Sequence, residues 1–116
     1  MEIKEMQEIV DRWISQFEEG YWPPGSMMMR FIEETGELCR ELNHRYGHKP
    51  KKADEPEGDV AEEIGDVLFV LVCLANSLGI DLEEAFRGVM EKYYRRDLNR
   101  WTRKKEETEG RKNTQQ

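Results

Sequence analysis

Residues 67–75, Val-Leu-Phe-Val-Leu-Val-Cys-Leu-Ala, form the longest apolar run of the 116-residue chain. This run sits inside a longer pattern in which Val60, Ile64, Val67, Leu71, Leu74 and Leu78 recur at helical spacing. Leu68, Phe69, Val70 and Val72 fill the intervening positions, so the helix is apolar on nearly every face and has to be surrounded by other elements. The run is about half the length that spans a bilayer. It is read as the central helix of a small core, and no membrane association is expected.

The flanking segments supply partners for it. Ile3, Met6, Ile9, Val10, Trp13, Ile14 and Phe17 predict a first amphipathic helix from about Ile3 to Glu18, closed by Gly20. Tyr21-Trp22-Pro23-Pro24-Gly25 is a rigid connector, and Ser26 is the expected N-cap of a second helix that ends near Gly47. A polar loop with two prolines, residues 48–58, follows. Asp59 and Glu62 have the spacing of a capping box for the central helix, which Gly79 ends. Asp81, with Glu84 three residues on, caps a fourth helix through Phe86, Val89, Met90, Tyr93 and Tyr94 to about Trp101. The class is all-α, with one domain over residues 1–103. Residues 104–116 lack apolar periodicity and read as a polar, disordered tail.

Charge narrows the function. Residues 1–91 hold 9 Lys/Arg against 21 Asp/Glu, whereas residues 92–116 hold 9 against 4. An acidic body lacks the basic face that phosphate backbones require, so nucleic-acid binding is not expected. Cys39 and Cys73 lie far apart in apolar stretches and are expected to be reduced core residues of a cytoplasmic protein. With no histidine close in sequence to activate either, neither is expected to be a nucleophile.

Two acidic motifs stand out. The second helix contains Glu33-Glu34-Thr-Gly-Glu37 and the third contains Glu62-Glu63-Ile-Gly-Asp66. Carboxylates at i, i+3 share a helix face within about 5–6 Å at Cβ and repel. Asp66 runs directly into the central apolar segment, where a buried charge would need a cation or a shifted pKa. A hard divalent ion such as Mg²⁺, bound by carboxylates converging from two facing helices, resolves both problems. Di-iron sites of this type use Glu-x-x-His, and no histidine occupies those positions. Gly36 and Gly65 hold equivalent places in the two motifs and would admit close helix approach or a ligand at the backbone. The competing reading is a solvated acidic face in which Glu62 is only a cap.

Glu34-x-x-Glu37 followed some twenty-five residues later by Glu63-x-x-Asp66 resembles the signature of the MazG-like nucleoside triphosphate pyrophosphohydrolases. The similarity extends over 31–42 and 62–76, then over Leu78-Gly-Ile-Asp-Leu-Glu-Glu-Ala-Phe and Lys92-Tyr-Tyr-Arg-Arg96, and covers about Met1 to Arg103. The resemblance implies an all-α, four-helix fold whose core is completed by homo-oligomerisation, as a homodimer or homotetramer. It implies Mg²⁺-dependent hydrolysis of an NTP or dNTP to the monophosphate and pyrophosphate, a nucleotide-pool house-cleaning activity, with Mn²⁺ as a substitute ion. The implied metal ligands are Glu34, Glu37, Glu63 and Asp66, with Glu33 orienting a water or a further ion and Glu33 or Glu37 as proton acceptor. Lys92, Arg95 and Arg96 match the family's basic element and are expected on the triphosphate. The other account of these three is favourable charge at a helix C-terminus.

Tyr21 and Trp22 lie in the connector where related enzymes hold base-contacting residues. Trp22 is the candidate to stack on a base, and the alternative is that both aromatics cover the bundle end. His44 and His48 have i, i+4 spacing but flank the expected helix end at Gly47, which favours a loop-facing pair over a metal pair. Two rival functions remain at this stage: a non-enzymatic helical interaction module, which would pair Asp66 with an arginine, and a metal-dependent nucleotide binder without turnover.

Overall fold

The structure is a computed structural model that describes residues 1–105; most of the expected tail, 104–116, lies outside the described residues. It contains four helices, α1 (Ile3–Ile14), α2 (Pro24–Tyr46), α3 (Val60–Ser77) and α4 (Leu82–Asp97), and no strand among the described residues. The all-α expectation holds. None of these helices alone is long and apolar enough to cross a membrane.

The chain divides into two units, Met1–Glu83 and Glu84–Gln116. In the first, α2 and α3 pack along each other and α1 packs on α3. Their common core is Val10, Met27, Val72 and Cys73, with Met6, Ile14, Tyr21, Leu74 and Leu82 against it. Val72 is fully buried, at the centre of the apolar run that marked α3 as central.

The helix ends show which local signals prevailed. α1 stops at Ile14, one turn short of the expected Glu18, and the chain continues in turns to Gly20, whose φ of 60° is left-handed. Ser26 is not the N-cap of α2. That helix begins three residues earlier, with Pro23 as N-cap and Pro24 at the first helical position, where a fixed φ helps and the missing N–H removes an orphan donor. Asp59 caps α3 by accepting from the Ala61 N–H at 2.9 Å. At the other end Ile80 N–H reaches Ala75 O and Gly79 N–H reaches Asn76 O, with Gly79 at φ 68°. This is a Schellman ending, and it needs glycine at 79.

A polar network ties α1 to the end of α3. The Gln7 amide donates to Asn76 Oδ1 and Ile80 O at 2.9 Å, and accepts from the Leu82 N–H at 3.0 Å. Asn76 Nδ2 donates to Gln7 O at 2.9 Å and to the Tyr21 hydroxyl at 3.0 Å, while that hydroxyl donates to Asp11 at 2.8 Å. Burial and the bond to Asp11 push the Tyr21 hydroxyl up to about 12. Asn76→Ala strands several of these groups and is expected to cost about 2 kcal/mol, or roughly 10 °C in thermal midpoint. A melting curve within a degree of wild type would show that the network is not structural.

Residues 48–58 lie along α2. Arg40 and His44 face Glu55 at 3.2 and 3.7 Å, Lys51 faces the buried Glu41 at 3.7 Å, and Arg45 donates to Gly58 O at 2.6 Å. The His44 side chain is only 3% exposed, so it is covered by the loop, whereas His48 is exposed. In the second unit no residue of α4 is buried, Lys92 lies over the Tyr93 ring, and Arg96 makes a forked pair with Asp97 at 3.1 and 3.2 Å.

Candidate active site

The packing of α2 against α3 turns the two acidic motifs into one cluster. Oxygens of Glu34, Glu63 and Asp66 all lie within 4.8 Å of one another. Glu34 is buried on α2, Glu63 is half-buried, and Asp66 is exposed on α3. This corrects the expectation that Asp66 is the buried charge: it shares the α3 face of Val70 and Cys73, at i+4 and i+7, but lines the cavity and stays exposed, and the buried carboxylate is Glu34. Gly36 and Gly65 are corrected likewise. A Cβ at either would meet open space, so neither permits a close helix approach within the chain.

The four expected ligands are not brought together equally. Glu37 lies outside the three-carboxylate cluster but close enough for its charge to act on Glu63. Burial, then the charges of Asp66, Glu37 and Glu34, hold the Glu63 carboxyl above its ordinary value. Glu33 is exposed and outside the cluster. Lys92, Arg95 and Arg96 belong to the second unit.

The donor set suits a hard cation. Three carboxylate oxygens within 4.8 Å of one another are the hard donors that Mg²⁺ takes, and these residues would hold it. No sulfur or imidazole belongs to the cluster, which disfavours softer ions.

Beside the cluster is a cavity of ≈ 500 Å³. One part of its wall is apolar, from Ile14, Phe17, Tyr21, Trp22, Phe69 and Val70; Arg30, Glu34 and Asp66 line another part. Trp22 is 52% exposed, leaving ring surface accessible. Tyr21 is held by the network to α1 and α3, which anchors the connector that carries Trp22. An aromatic and aliphatic wall adjoining a carboxylate cluster is a shape that accepts a ligand with a flat apolar part and an anionic part.

Comparison with known proteins gives the family. Residues 23–101 match the model of the MazG nucleotide pyrophosphohydrolase domain. The chain belongs to the MazG family. It is 64% identical over 104 residues to YpjD, an uncharacterized protein of Bacillus subtilis strain 168, covering 90% of this chain and 94% of that one. The crystal structure of Bacillus subtilis YpjD, a candidate pyrophosphatase, superposes with a TM-score of 0.74 at 62% identity, covering 80% of this chain and 95% of that one. A MazG protein conserved in Bacillus, described as a nucleotide pyrophosphohydrolase, superposes at 0.72 with 49% identity, covering 85% and 96%. The all-α MazG-like fold and a hydrolase family are therefore shown for this chain.

Arg30 was missed by the sequence reading. Its Nη2 lies 2.7 Å from Glu34 Oε1, and the i, i+4 spacing of the pair was the signal. Cys39, expected in the core, is exposed, whereas Cys73 is buried as expected; both are free.

Proposed function

We propose that this MazG-family chain is a Mg²⁺-dependent hydrolase of a nucleoside triphosphate, NTP or dNTP, that releases the monophosphate and pyrophosphate. The observation that carries this reading is the convergence of Glu34, Glu63 and Asp66 at the rim of a cavity with an aromatic wall. A triphosphate is strongly anionic, and so is the cluster, so productive binding needs a cation between them. When bound, Mg²⁺ supplies that charge and lowers the pKa of water. Glu34, Glu63 and Asp66 would hold the ion, and Glu37, outside the cluster, is the fourth ligand that the family resemblance implies. Glu33 or Glu37 accepts the proton of the attacking water. Trp22 offers its face to the base. The interaction-module rival asked for an arginine on Asp66, but the arginine in the cluster pairs with Glu34.

The test is phosphate release from a panel of canonical and modified nucleotides, with inorganic pyrophosphatase added. Release that requires Mg²⁺ or Mn²⁺ and the added pyrophosphatase is the expected result. No release across the panel would refute the reading.

Assembly belongs to the same proposal. Ile64, Leu68, Leu71 and Leu78 are 53, 41, 40 and 51% exposed although they lie on the most apolar helix, and Met29 and Ile32 on α2 are 69 and 66% exposed. An apolar surface of this extent fits burial against a second copy, and twofold symmetry is the commonest arrangement. A homodimer or homotetramer is expected by light scattering. A mass near the 13.8 kDa of one chain at micromolar concentration would contradict it.

A further inference from the structure

We propose that Arg30 is a phosphate-binding residue of this site and also its built-in counter-cation when no metal is bound. This inference rests on the metal-dependent nucleotide reading above and adds to it a residue and an exchange of partners.

The ion pair with Glu34 is not explained by helix stability. Along α2 the arginine precedes the glutamate, the less favourable order for an i, i+4 pair in the field of the helix. The surroundings explain it better. Glu34, Glu63 and Asp66 crowd within 4.8 Å, and among the described residues Arg30 is the cation ion-paired to a member of the cluster. Glu34 is also the member that water solvates least, so it gains most from a guanidinium.

The rest of the guanidinium faces outward. The Arg30 side chain is 49% exposed while that of Glu34 is 11% exposed, and a guanidinium has five N–H donors of which this contact uses one. Arg30 lines the same cavity as Trp22, Glu34 and Asp66, and it is the one basic residue on that wall among the described residues. An anion entering the cavity therefore meets carboxylates and a single cation.

A divalent ion at the carboxylates competes with Arg30 for the Glu34 carboxylate. Once Glu34 is committed to the ion, the guanidinium is released beside it, with a fork suited to two oxygens of one phosphate. Metal-free, Arg30 holds Glu34; loaded with metal and nucleotide, Arg30 holds phosphate. The exchange keeps the buried Glu34 carboxylate beside a cation in either state.

Two measurements on the full chain test this: Mn²⁺ binding by calorimetry without nucleotide, and kcat and KM for the best nucleotide with Mg²⁺. In Arg30→Met the competing cation is gone, so Mn²⁺ should bind about three- to tenfold more tightly. The same variant loses its phosphate contact, so KM should rise roughly tenfold or more, with a smaller change in kcat. Arg30→Lys, which keeps the charge without the fork, should fall between wild type and Arg30→Met in KM. Opposite movements of metal affinity and KM are what a merely structural salt bridge would not produce. The inference is overturned if KM in Arg30→Met stays within twofold of wild type, or if Mn²⁺ affinity is unchanged or weaker. If the wild-type chain neither binds Mn²⁺ nor turns over any nucleotide, the failure lies with the functional reading, and this inference falls with it.

Discussion

Asp66→Asn is expected to lower turnover by about a thousandfold or more, roughly 4 kcal/mol of lost transition-state stabilisation. Asparagine keeps the volume but offers a neutral oxygen to a hard cation that favours carboxylates. The fold should not suffer. Asp66 is exposed, and its negative charge is among the causes that hold Glu63 above its ordinary value. Removing it relieves repulsion in the metal-free protein, so the thermal midpoint of the variant should equal or exceed that of wild type. Circular dichroism and a melting curve check the fold, and a coupled phosphate assay checks turnover. Near-normal turnover in a folded variant would sink the assignment of Asp66 as a ligand.

Magnesium itself should stabilise the folded chain strongly. At about a hundred times its Kd, an ion that binds only the folded state adds roughly 2.7 kcal/mol, which for a chain of this size is of the order of 10–20 °C in midpoint. The increment should depend on pH with a definite sign. Folded Glu63 keeps its proton to higher pH than it does in the unfolded chain, because burial and the neighbouring carboxylates disfavour its charge. Between those two values the folded state binds more protons, so the metal-free protein loses stability as pH rises from about 4.5 through the folded value. Metal binds the deprotonated cluster, so the Mg²⁺ increment should grow over the same interval. Calcium, larger and looser in its geometry, should bind yet support little turnover. A midpoint indifferent to millimolar Mg²⁺, or an increment that shrinks with rising pH, would favour a solvated acidic face.

Much of the fold was legible because its signals are local and redundant. Val72, the fully buried side chain of α3, lies in the middle of the longest apolar run, and Asp59 and Gly79 mark both ends of that helix by capping chemistry. The α2 start was less legible because two helix-initiating signals compete there. Ser26 can cap, but Pro24 is already preset in φ and starts the helix upstream. The pairing of the acidic motifs was readable from spacing, because i, i+3 residues share a face on each helix. Burial was not. Asp66 shares a helix face with the buried Val70 and Cys73, yet it lines the cavity and stays exposed, while Glu34 is covered by packing that only the tertiary arrangement sets. Arg30 escaped for a related reason. An arginine four residues before a glutamate is ordinary on a helix surface, and only the cavity makes it distinctive. The Gln7–Asn76–Tyr21 network joins residues 69 and 55 positions apart, which no local pattern signals.

Phosphorus NMR tests whether a nucleoside triphosphate is cleaved between its α and β phosphates at the Glu34–Glu63–Asp66 cluster. The purified chain with Mg²⁺ and its best substrate should give monophosphate and pyrophosphate in equal amounts. Chelation of the metal should stop the reaction, and Asp66→Asn should not perform it. Appearance of a diphosphate with orthophosphate, or an unchanged triphosphate across the whole panel in the presence of Mg²⁺ and of Mn²⁺, would contradict that cleavage.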